Sequence, residues 1–146
     1  MKKKLKALKK PVRATKGAPL RAATKPVRDS SEGQQMALAA AAAALDKKAM
    51  GVEIIDVPGK VDCADYLVLM TGYRDRHVAA IAEAVDEALG KQGWHAISIE
   101  GLPRGQWVLI DFVDIVVHVF LAETRSLYDL DGLWMDARRV RVPGQV

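Results

Sequence analysis

Residues 107–134 of the chain read WVLIDFVDIVVHVFLAETRSLYDLDGLW. The stretch opens with two apolar runs rich in β-branched side chains, 107–112 and 115–121, which only Val113 and Asp114 separate. Two such runs joined by two residues predict a tight β-hairpin. An acidic and aromatic segment closes the stretch, which in total holds five of the eight aromatic residues of the chain. Because aromatic side chains are favoured anchors of protein interfaces, this concentration suggests a surface that binds a partner.

Two helices are predicted before the hairpin. The first begins at Ser31, a capping residue with Gln34 three positions on, and runs to about Met50, where Gly51 stops it. The second covers residues 75–89 with Asp75 as its cap. Its apolar side chains recur at spacings of three and four and form one stripe, made of Val78, Ile81, Ala82, Val85 and Leu89.

Three further strands are predicted, at residues 52–57 (VEIIDV), 65–71 (DYLVLMT) and 94–100 (WHAISIE). The second of them is almost continuously apolar, which is typical of a strand buried on both faces. Together with the hairpin, the order of elements predicts an α/β (α+β) fold: a single mixed sheet of about five strands with flanking helices.

The charge divides the chain into two segments. Residues 1–28 contain eleven Lys or Arg and no acid, whereas the remainder sets eleven basic residues against eighteen acidic ones, a net charge of −7. We predict a basic, flexible arm at residues 1–35 and a folded domain at residues 36–146. A basic arm can screen the phosphates of a nucleic acid, but the composition equally suits a solvated tail, and the sequence leaves both interpretations open.

Several classes of site are disfavoured. The single Cys63 excludes an internal disulfide and a cysteine zinc cluster, and it fits a reducing compartment. The three histidines have no metal-ligand spacing, so we predict no metal and no cofactor, and His118 is expected to be a half-buried residue with satisfied hydrogen bonds. The apolar run at residues 36–45 is too short to span a membrane. An organellar transit peptide remains compatible with the acid-free arm, although Lys rather than Arg dominates it.

Two polar groupings could carry chemistry. Asp111 and Asp114 flank the hairpin turn, and carboxylates beside a sheet can hold magnesium for nucleotidyl transfer. The chain lacks the Gly-Ser loop with an Asp-x-Asp pair and the P-loop that such enzymes use, which favours turn-forming or partner-facing acids. Residues 71–77 (TGYRDRH) join a strand to a helix N-terminus, a geometry that can bind an anion, but with one glycine the segment favours a structural role.

The hairpin itself favours partner binding. Alternation along the first strand places Trp107, Leu109 and Asp111 on one face, where an aspartate indicates contact with water or a polar partner. Acids in and after the hairpin would attract a basic partner and repel duplex nucleic acid: Asp111, Asp114, Asp129, Asp131 and Asp136. Spacing alone leaves open that the aromatic residues are core and the acids a solvated rim.

A family resemblance adds to this reading. It rests on segments that occur in a fixed order across about residues 36–137: 65–66 (DY) through 71–72 (TG), 75–78 (DRHV), 80–82 (AIA), 100–101 (EG), 107–111 (WVLID), Asp114, 117–120 (VHVF), Glu123, Arg125, 128–130 (YDL), 133–134 (LW) and 136–137 (DA). In this order and spacing the chain resembles the ribosomal silencing factor family, also called the Iojap-like proteins.

The resemblance implies a function without catalysis. Members bind large-subunit ribosomal protein fourteen, a basic protein, and sterically block association of the ribosomal subunits when nutrients are short. They have a nucleotidyltransferase-like sheet without the catalytic motif, and they often form homodimers. The resemblance therefore implies a cytoplasmic bacterial protein, with a mitochondrial or plastid location as the alternative. The arm lies outside the matching region, and contact of the arm with rRNA is a separate expectation. The competing hypothesis is an enzyme that uses Asp111 and Asp114.

By matching position, the resemblance implies partner contact by seven residues: Trp107, Asp111, Phe112, Asp114, Tyr128, Leu133 and Trp134. One departure lies in the same region. The family usually has Gly at the hairpin turn, where this chain has Val113, and a β-branched residue resists positive φ. The sequence leaves open whether Val113 changes the type of turn.

Overall fold

The structure is a computed structural model that describes residues 30–57, 64–102 and 104–145. Four helices and six strands follow one another in this part of the chain: α1 (Ser30–Asp46), β1 (Met50–Asp56), β2 (Tyr66–Gly72), α2 (Asp75–Lys91), β3 (Ser98–Glu100), β4 (Trp107–Asp111), β5 (Ile115–Leu121), α3 (Ala122–Tyr128), α4 (Leu130–Leu133) and β6 (Arg138–Val140).

All six strands form one sheet in the order β3-β4-β5-β2-β1-β6. The central pair, β5 and β2, is parallel, and every other neighbouring pair is antiparallel. The predicted single mixed sheet is thus confirmed, with one strand more than expected. Strand β6 has no counterpart among the predicted strands because its three residues, two of them arginines, carry no alternating pattern. This strand forms by pairing with β1.

The two central strands are buried on both faces. Every residue of β2 is buried, as are six of the seven residues of β5. This confirms the interpretation of the apolar run at residues 65–71. A strand of this kind needs cover on each side, since its side chains point alternately to opposite faces of the sheet.

Helices α1 and α2 cover one face of the sheet. The predicted stripe of α2 is confirmed, because all five of its apolar residues are buried. On α1, buried Ala37, Ala40, Ala41 and Ala44 belong to the same core cluster. Alanine methyl groups add little thickness, so this helix can lie close to its neighbours.

The ends of the helices differ from the prediction. α1 ends at Asp46 and not near Met50, because Lys48 adopts a φ of 66° and closes the helix with bonds from its N–H to Leu45 O and from Ala49 N–H to Ala44 O. This is the Schellman arrangement, here without glycine. The predicted cap at Asp75 is wrong, since Arg74 occupies the cap position without a side-chain bond.

The start of α1 bears on the domain boundary. The helix begins at Ser30, one residue before the predicted cap Ser31, so residues 30–35, which we assigned to the arm, are helical. Residues 1–29 and Cys63 lie outside the described residues. The division into an arm and a domain therefore stays a prediction.

Strand β3 is shorter than predicted. It covers Ser98–Glu100 and not residues 94–100. Trp94 is not part of the strand. It packs against the core on the helical face, and its Nε1–H donates to Glu32 Oε2 over 3.2 Å. Packing of one large side chain against α1 thus overrides the local alternation.

The predicted hairpin is confirmed, with Trp107 opposite Phe120 and Asp111 opposite Val116. Its first strand ends at Asp111 and not at Phe112. Val113 adopts a φ of 78° in the turn, where Asp114 N–H donates to Phe112 O over 3.0 Å as in a γ-turn. The Asp111 side chain accepts a bond of 2.8 Å from Val113 N–H. A β-branched residue therefore occupies a conformation that favours glycine.

Replacement of this residue should relieve strain. We expect Val113→Gly to raise the free energy of unfolding by about 1 kcal/mol, since the relief of positive φ exceeds the entropy that glycine adds to the unfolded chain. Urea unfolding of both proteins measures the difference. The matched change Val116→Gly, in the buried strand beyond the turn, should instead lower the free energy by about 2 kcal/mol or more. Comparable losses in both variants would show that the turn stores no strain.

Candidate partner-binding surface

The second face of the sheet is only partly covered. Its smaller core includes Leu67, Leu69 and Phe120. The chain after β5 lies over it: we call residues 122–137, with α3 and α4, the C-terminal segment. Apolar side chains pack on this core while remaining partly exposed: Trp107, Leu109, Leu130, Trp134 and Ala137.

Trp107 is the centre of an aromatic group on this face. Its ring lies 4.5 Å from that of Tyr128 and 5.2 Å from that of Phe120, measured between centroids. Its Nε1–H donates to Nδ1 of His118 over 3.0 Å. Trp107 is half-buried and contacts both Tyr128 on the C-terminal segment and Phe120 in the sheet. We call Trp107, Tyr128, Leu133 and Trp134 the aromatic surface.

His118 lies under this group in the middle of β5. The sequence predicts a half-buried histidine with satisfied hydrogen bonds; the side chain is in fact buried, and its Nδ1 accepts the indole hydrogen bond. Burial lowers the pKa of His118 from 6.5 to about 4, because a charged ring would lose its hydration. The ring is therefore neutral at pH 7, and with Nδ1 as acceptor its proton is on Nε2.

Arg125 attaches the C-terminal segment to the sheet. Its guanidinium donates from Nε and Nη2 to both carboxylate oxygens of Asp131, over 2.9 and 2.8 Å. Its Nη1 donates to Gly51 O at 2.6 Å and to Thr71 Oγ1 at 2.9 Å. One planar side chain thus connects α3, α4 and two strands. A bidentate pair of this kind is among the strongest polar contacts in proteins.

Two of the predicted acidic contacts have structural roles as well. The hydrogen bonds from Arg125 hold the pKa of the Asp131 carboxyl below its usual value. Asp129, at a φ of 49°, caps α4 by accepting a bond of 3.0 Å from Gly132 N–H. Asp136 and Asp129 remain exposed.

The remaining predicted residues lie at the other end of the hairpin. Asp111 is four residues beyond Trp107 along β4, which separates them by roughly 13 Å at 3.3 Å per residue. Phe112 is buried in the helical core and Asp114 is buried at the turn. The structure therefore brings Trp107, Tyr128 and Trp134 onto one face, with Leu133 exposed beside Trp134. Asp111, Phe112 and Asp114 lie apart from them.

The two carboxylates of the competing enzyme hypothesis belong to the hairpin turn. Asp111 binds the turn backbone, and the side chain of Asp114 is buried. Across residues 30–57, 64–102 and 104–145, no group of three or more His, Cys, Asp or Glu is placed to hold a metal ion. In the same ranges, no helix has the length and apolarity needed to cross a bilayer.

Two features of this region have no counterpart in the predicted contact set. Leu127, directly before Tyr128, and Met135, directly after Trp134, are exposed apolar side chains. Arg125 was noted only as part of the resemblance. It is the one basic residue between Glu123 and Asp136, and a lone cation among acids is a signal that could have marked it as an internal partner.

We expect Arg125→Ala to lower the free energy of unfolding by about 2–4 kcal/mol. The Asp131 carboxylate and the Gly51 carbonyl would lose their donor, and the side chain that is removed is only 13% exposed. The matched control is Arg138→Ala. Arg138 also pairs with an aspartate, Asp56, but it is 65% exposed, and surface pairs contribute about 1 kcal/mol or less. Urea unfolding compares the two. Equal losses would contradict the role of Arg125.

The depressed pKa of His118 predicts a pH dependence. Between pH 6.5 and about 4 the unfolded chain binds a proton that the folded chain does not, so the free energy of unfolding should fall as the pH drops through this window, by up to about 3 kcal/mol. Asp131 acts in a different window, since its contribution is lost only below its ordinary value of 3.8. His118→Gln should flatten the dependence between pH 6.5 and 4, because the imidazole that binds the proton in the unfolded chain is then absent. An unchanged slope in His118→Gln would contradict the assignment.

Known proteins are similar to this chain over its folded part. The family model described as "Ribosomal silencing factor during starvation" matches residues 30–146. A ribosomal silencing factor of Bacillus subtilis is 40% identical over 98 residues, which are 67% of this chain and 83% of that protein. The chloroplastic protein Iojap of Zea mays is 25% identical over 115 residues, and the matching region is 50% of its length.

A solved structure shares the fold. The crystal structure of a Chromobacterium violaceum protein superposes with a TM-score of 0.68 at 30% sequence identity, and the match covers 75% of this chain and 91% of that one. The family match extends over the whole described sheet, including the C-terminal segment and β6. The chain therefore belongs to the ribosomal silencing factor family.

Proposed function

We propose that this chain binds the large ribosomal subunit through ribosomal protein fourteen and blocks association with the small subunit, which represses translation when nutrients are limited. The observation that carries the proposal is the aromatic surface, which a soluble domain would otherwise tend to bury. Family membership supports the ribosomal target, and the identity of the ribosomal protein rests on the resemblance.

The aromatic surface has the properties of an interface anchor. Tyr128 is 53% exposed although its ring packs on Trp107, and Leu133 is 68% exposed on the neighbouring helix. Leu127 and Met135 extend the apolar area. Because the C-terminal segment is held by Arg125, these side chains are presented on a fixed backbone, and little ordering entropy is lost on binding.

The charge of the surroundings suits a basic partner. Residues 29–146 carry a net charge of −7, and Glu123, Asp129 and Asp136 are exposed around the C-terminal segment. Exposed acids near an apolar anchor speed the encounter with a basic protein and set its orientation, while the anchor supplies most of the affinity. The structural acids Asp131 and Asp114 are not needed for this role.

The mechanism is steric and needs no chemical step. A folded body fixed on the joining surface of one subunit excludes the other subunit from the same space, and its effect depends on occupancy alone. We infer a protein without catalytic activity, cofactor or metal, working in the bacterial cytoplasm, with mitochondrion or plastid as the alternative. Contact of the basic arm with rRNA and formation of a homodimer remain expectations.

The proposed contact set is narrower than the sequence predicted. Phe112 and Asp114 are left out because their side chains are buried, and Asp111 because it lies at the far end of β4. Trp107 stays in the set as a support for Tyr128. Its replacement is a poor test of binding, since it also removes packing on Phe120 and the bond to His118.

We expect Tyr128→Ala and Leu133→Ala each to weaken binding to purified large subunits by about 2 kcal/mol, roughly thirtyfold in Kd, because each removes an exposed anchor. Ile97→Ala is the matched control, since Ile97 is 65% exposed but lies before β3, where its N–H donates to Asp111 O at the far end of β4 from Trp107. Co-sedimentation with separated subunits measures the binding.

A second readout concerns subunit joining. The unmodified chain should lower the fraction of joined ribosomes in a mixture of both subunits, and the two anchor variants should do so less at equal concentration. If Tyr128→Ala and Ile97→Ala reduce the affinity for the large subunit equally, the aromatic surface is not the binding site. Full binding with undiminished joining would contradict the steric mechanism.

A further inference from the structure

A second exposed surface carries the opposite charge. It surrounds a depression of about 780 Å³ at the start of α2. Four cations line the depression, together with an aromatic pair and one acid. We call it the basic patch; its charged and aromatic residues are Lys47, Lys48, Arg74, Arg76, Tyr73, His77 and Asp75.

His77 holds the parts of the basic patch together. Tyr73 N–H donates to its Nδ1 over 2.9 Å, so the ring proton is on Nε2 and is donated to Lys47 O at 2.6 Å. The ring thereby joins the turn after α1 to the first turn of α2 and to the loop between β2 and α2. These contacts explain the structural role that the sequence favoured for residues 71–77, but they leave the outward-facing side chains unused.

Tyr73 presents a flat ring on this framework. It is 66% exposed, and it stacks on His77 with centroids 5.3 Å apart and an angle of 13° between the planes. One face of the phenol is thus fixed against the protein while most of the side chain remains accessible. An exposed ring held in this manner matches the stacking platforms on which proteins bind unpaired bases.

The charge around the ring is strongly positive. Lys47, Lys48, Arg74 and Arg76 are all exposed, against the single carboxylate of Asp75, which accepts a hydrogen bond from Arg76 N–H. The patch therefore has a net charge of +3 within a folded body whose net charge is negative. Four cations around one aromatic ring complement a sugar–phosphate chain that offers an anion at every nucleotide and a base between them.

The location also fits a large partner. Tyr73 directly follows β2 and α3 directly follows β5, and these strands are parallel neighbours, so both loops leave the same end of the sheet. Helix α2 then covers one face, and the C-terminal segment lies on the other. One partner at this end of the sheet can contact the aromatic surface and the basic patch together.

We propose that the basic patch binds single-stranded RNA, with phosphates on the four cations and an unpaired base on Tyr73. Duplex RNA fits less well, because its bases are not available for stacking on a side chain. If the proposed function holds, the RNA is an unpaired rRNA segment beside the ribosomal protein site. Only this identification of the RNA rests on the proposed function.

The first test compares two double variants of the full chain, so that the N-terminal arm contributes equally to both. Lys47→Glu with Arg76→Glu reverses two charges in the patch, and Lys91→Glu with Arg141→Glu reverses two exposed charges elsewhere. Binding to a fluorescent single-stranded RNA oligonucleotide is measured at several salt concentrations. We expect the patch variant to lose about 1.4 from the slope of log Kd against log salt, about 0.7 for each lost phosphate contact. The control should keep the slope.

The second test isolates the ring. Tyr73→Ala should weaken RNA binding about five- to hundredfold, whereas Tyr73→Phe, which keeps the stacking face, should bind as the unmodified chain does. Circular dichroism and urea unfolding of each variant confirm that the fold is retained.

The outcomes separate the inference from the proposed function. Equal slopes in the two double variants, or equal RNA affinity of Tyr73→Ala and Tyr73→Phe, would overturn the RNA site. The RNA site would also be overturned if the chain bound an acidic peptide more tightly than RNA and the patch variant lost that binding. The patch would then be assigned to a protein partner. If RNA binding depends on the patch but the chain does not sediment with large subunits, the RNA site stands and the proposed function is rejected.

Discussion

Burial of the parallel pair β2 and β5 on both faces is the constraint on which the rest of the structure depends. Strands so apolar must be covered on each side, since either face left open would expose the side chains of alternate residues to water. Helices α1 and α2 cover one face with a continuous apolar layer. The other face is covered only by a short piece of chain after β5, and this asymmetry leaves apolar side chains exposed on one side of the sheet.

The cover on the second face is held by polar contacts more than by burial of its own residues. Neither α3 nor α4 contains a buried residue. Arg125 fixes them through Asp131 and two strands, and Arg139 on β6 adds bonds to the backbone of Trp134 and Ala137. Because donors and acceptors maintain the position of the segment, its apolar side chains need not point inward. The same arrangement explains how Tyr128 and Leu133 can be exposed on a well-fixed backbone.

The two candidate surfaces share one end of the sheet for a topological reason. Chain segments that follow two adjacent parallel strands must leave at the same edge, and here one turns towards each face of the sheet. Exposed acids and an apolar anchor lie on one face of the sheet, and four cations surround Tyr73 on the side of α2. A ribosome offers basic proteins beside phosphate backbone, so complementary surfaces of both signs fit the large partner that we propose.

The amino-acid sequence determined the elements whose patterns are local. The stripe of α2, the continuous burial of β2 and the hairpin around Val113 follow from periodicity and from neighbouring residues, and the concentration of aromatic residues identified the region of the candidate surface. Tertiary structure decided what depends on residues far apart in the chain. Strand β6 exists because it pairs with β1 more than eighty positions away, and Trp94 leaves β3 to pack on α1. Asp131 becomes a structural residue because Arg125 faces it, and the side chain of Asp114 is buried at the hairpin turn. Long-range contacts of this kind leave no periodic trace in the sequence, since the partner of a side chain is fixed only when the sheet has formed.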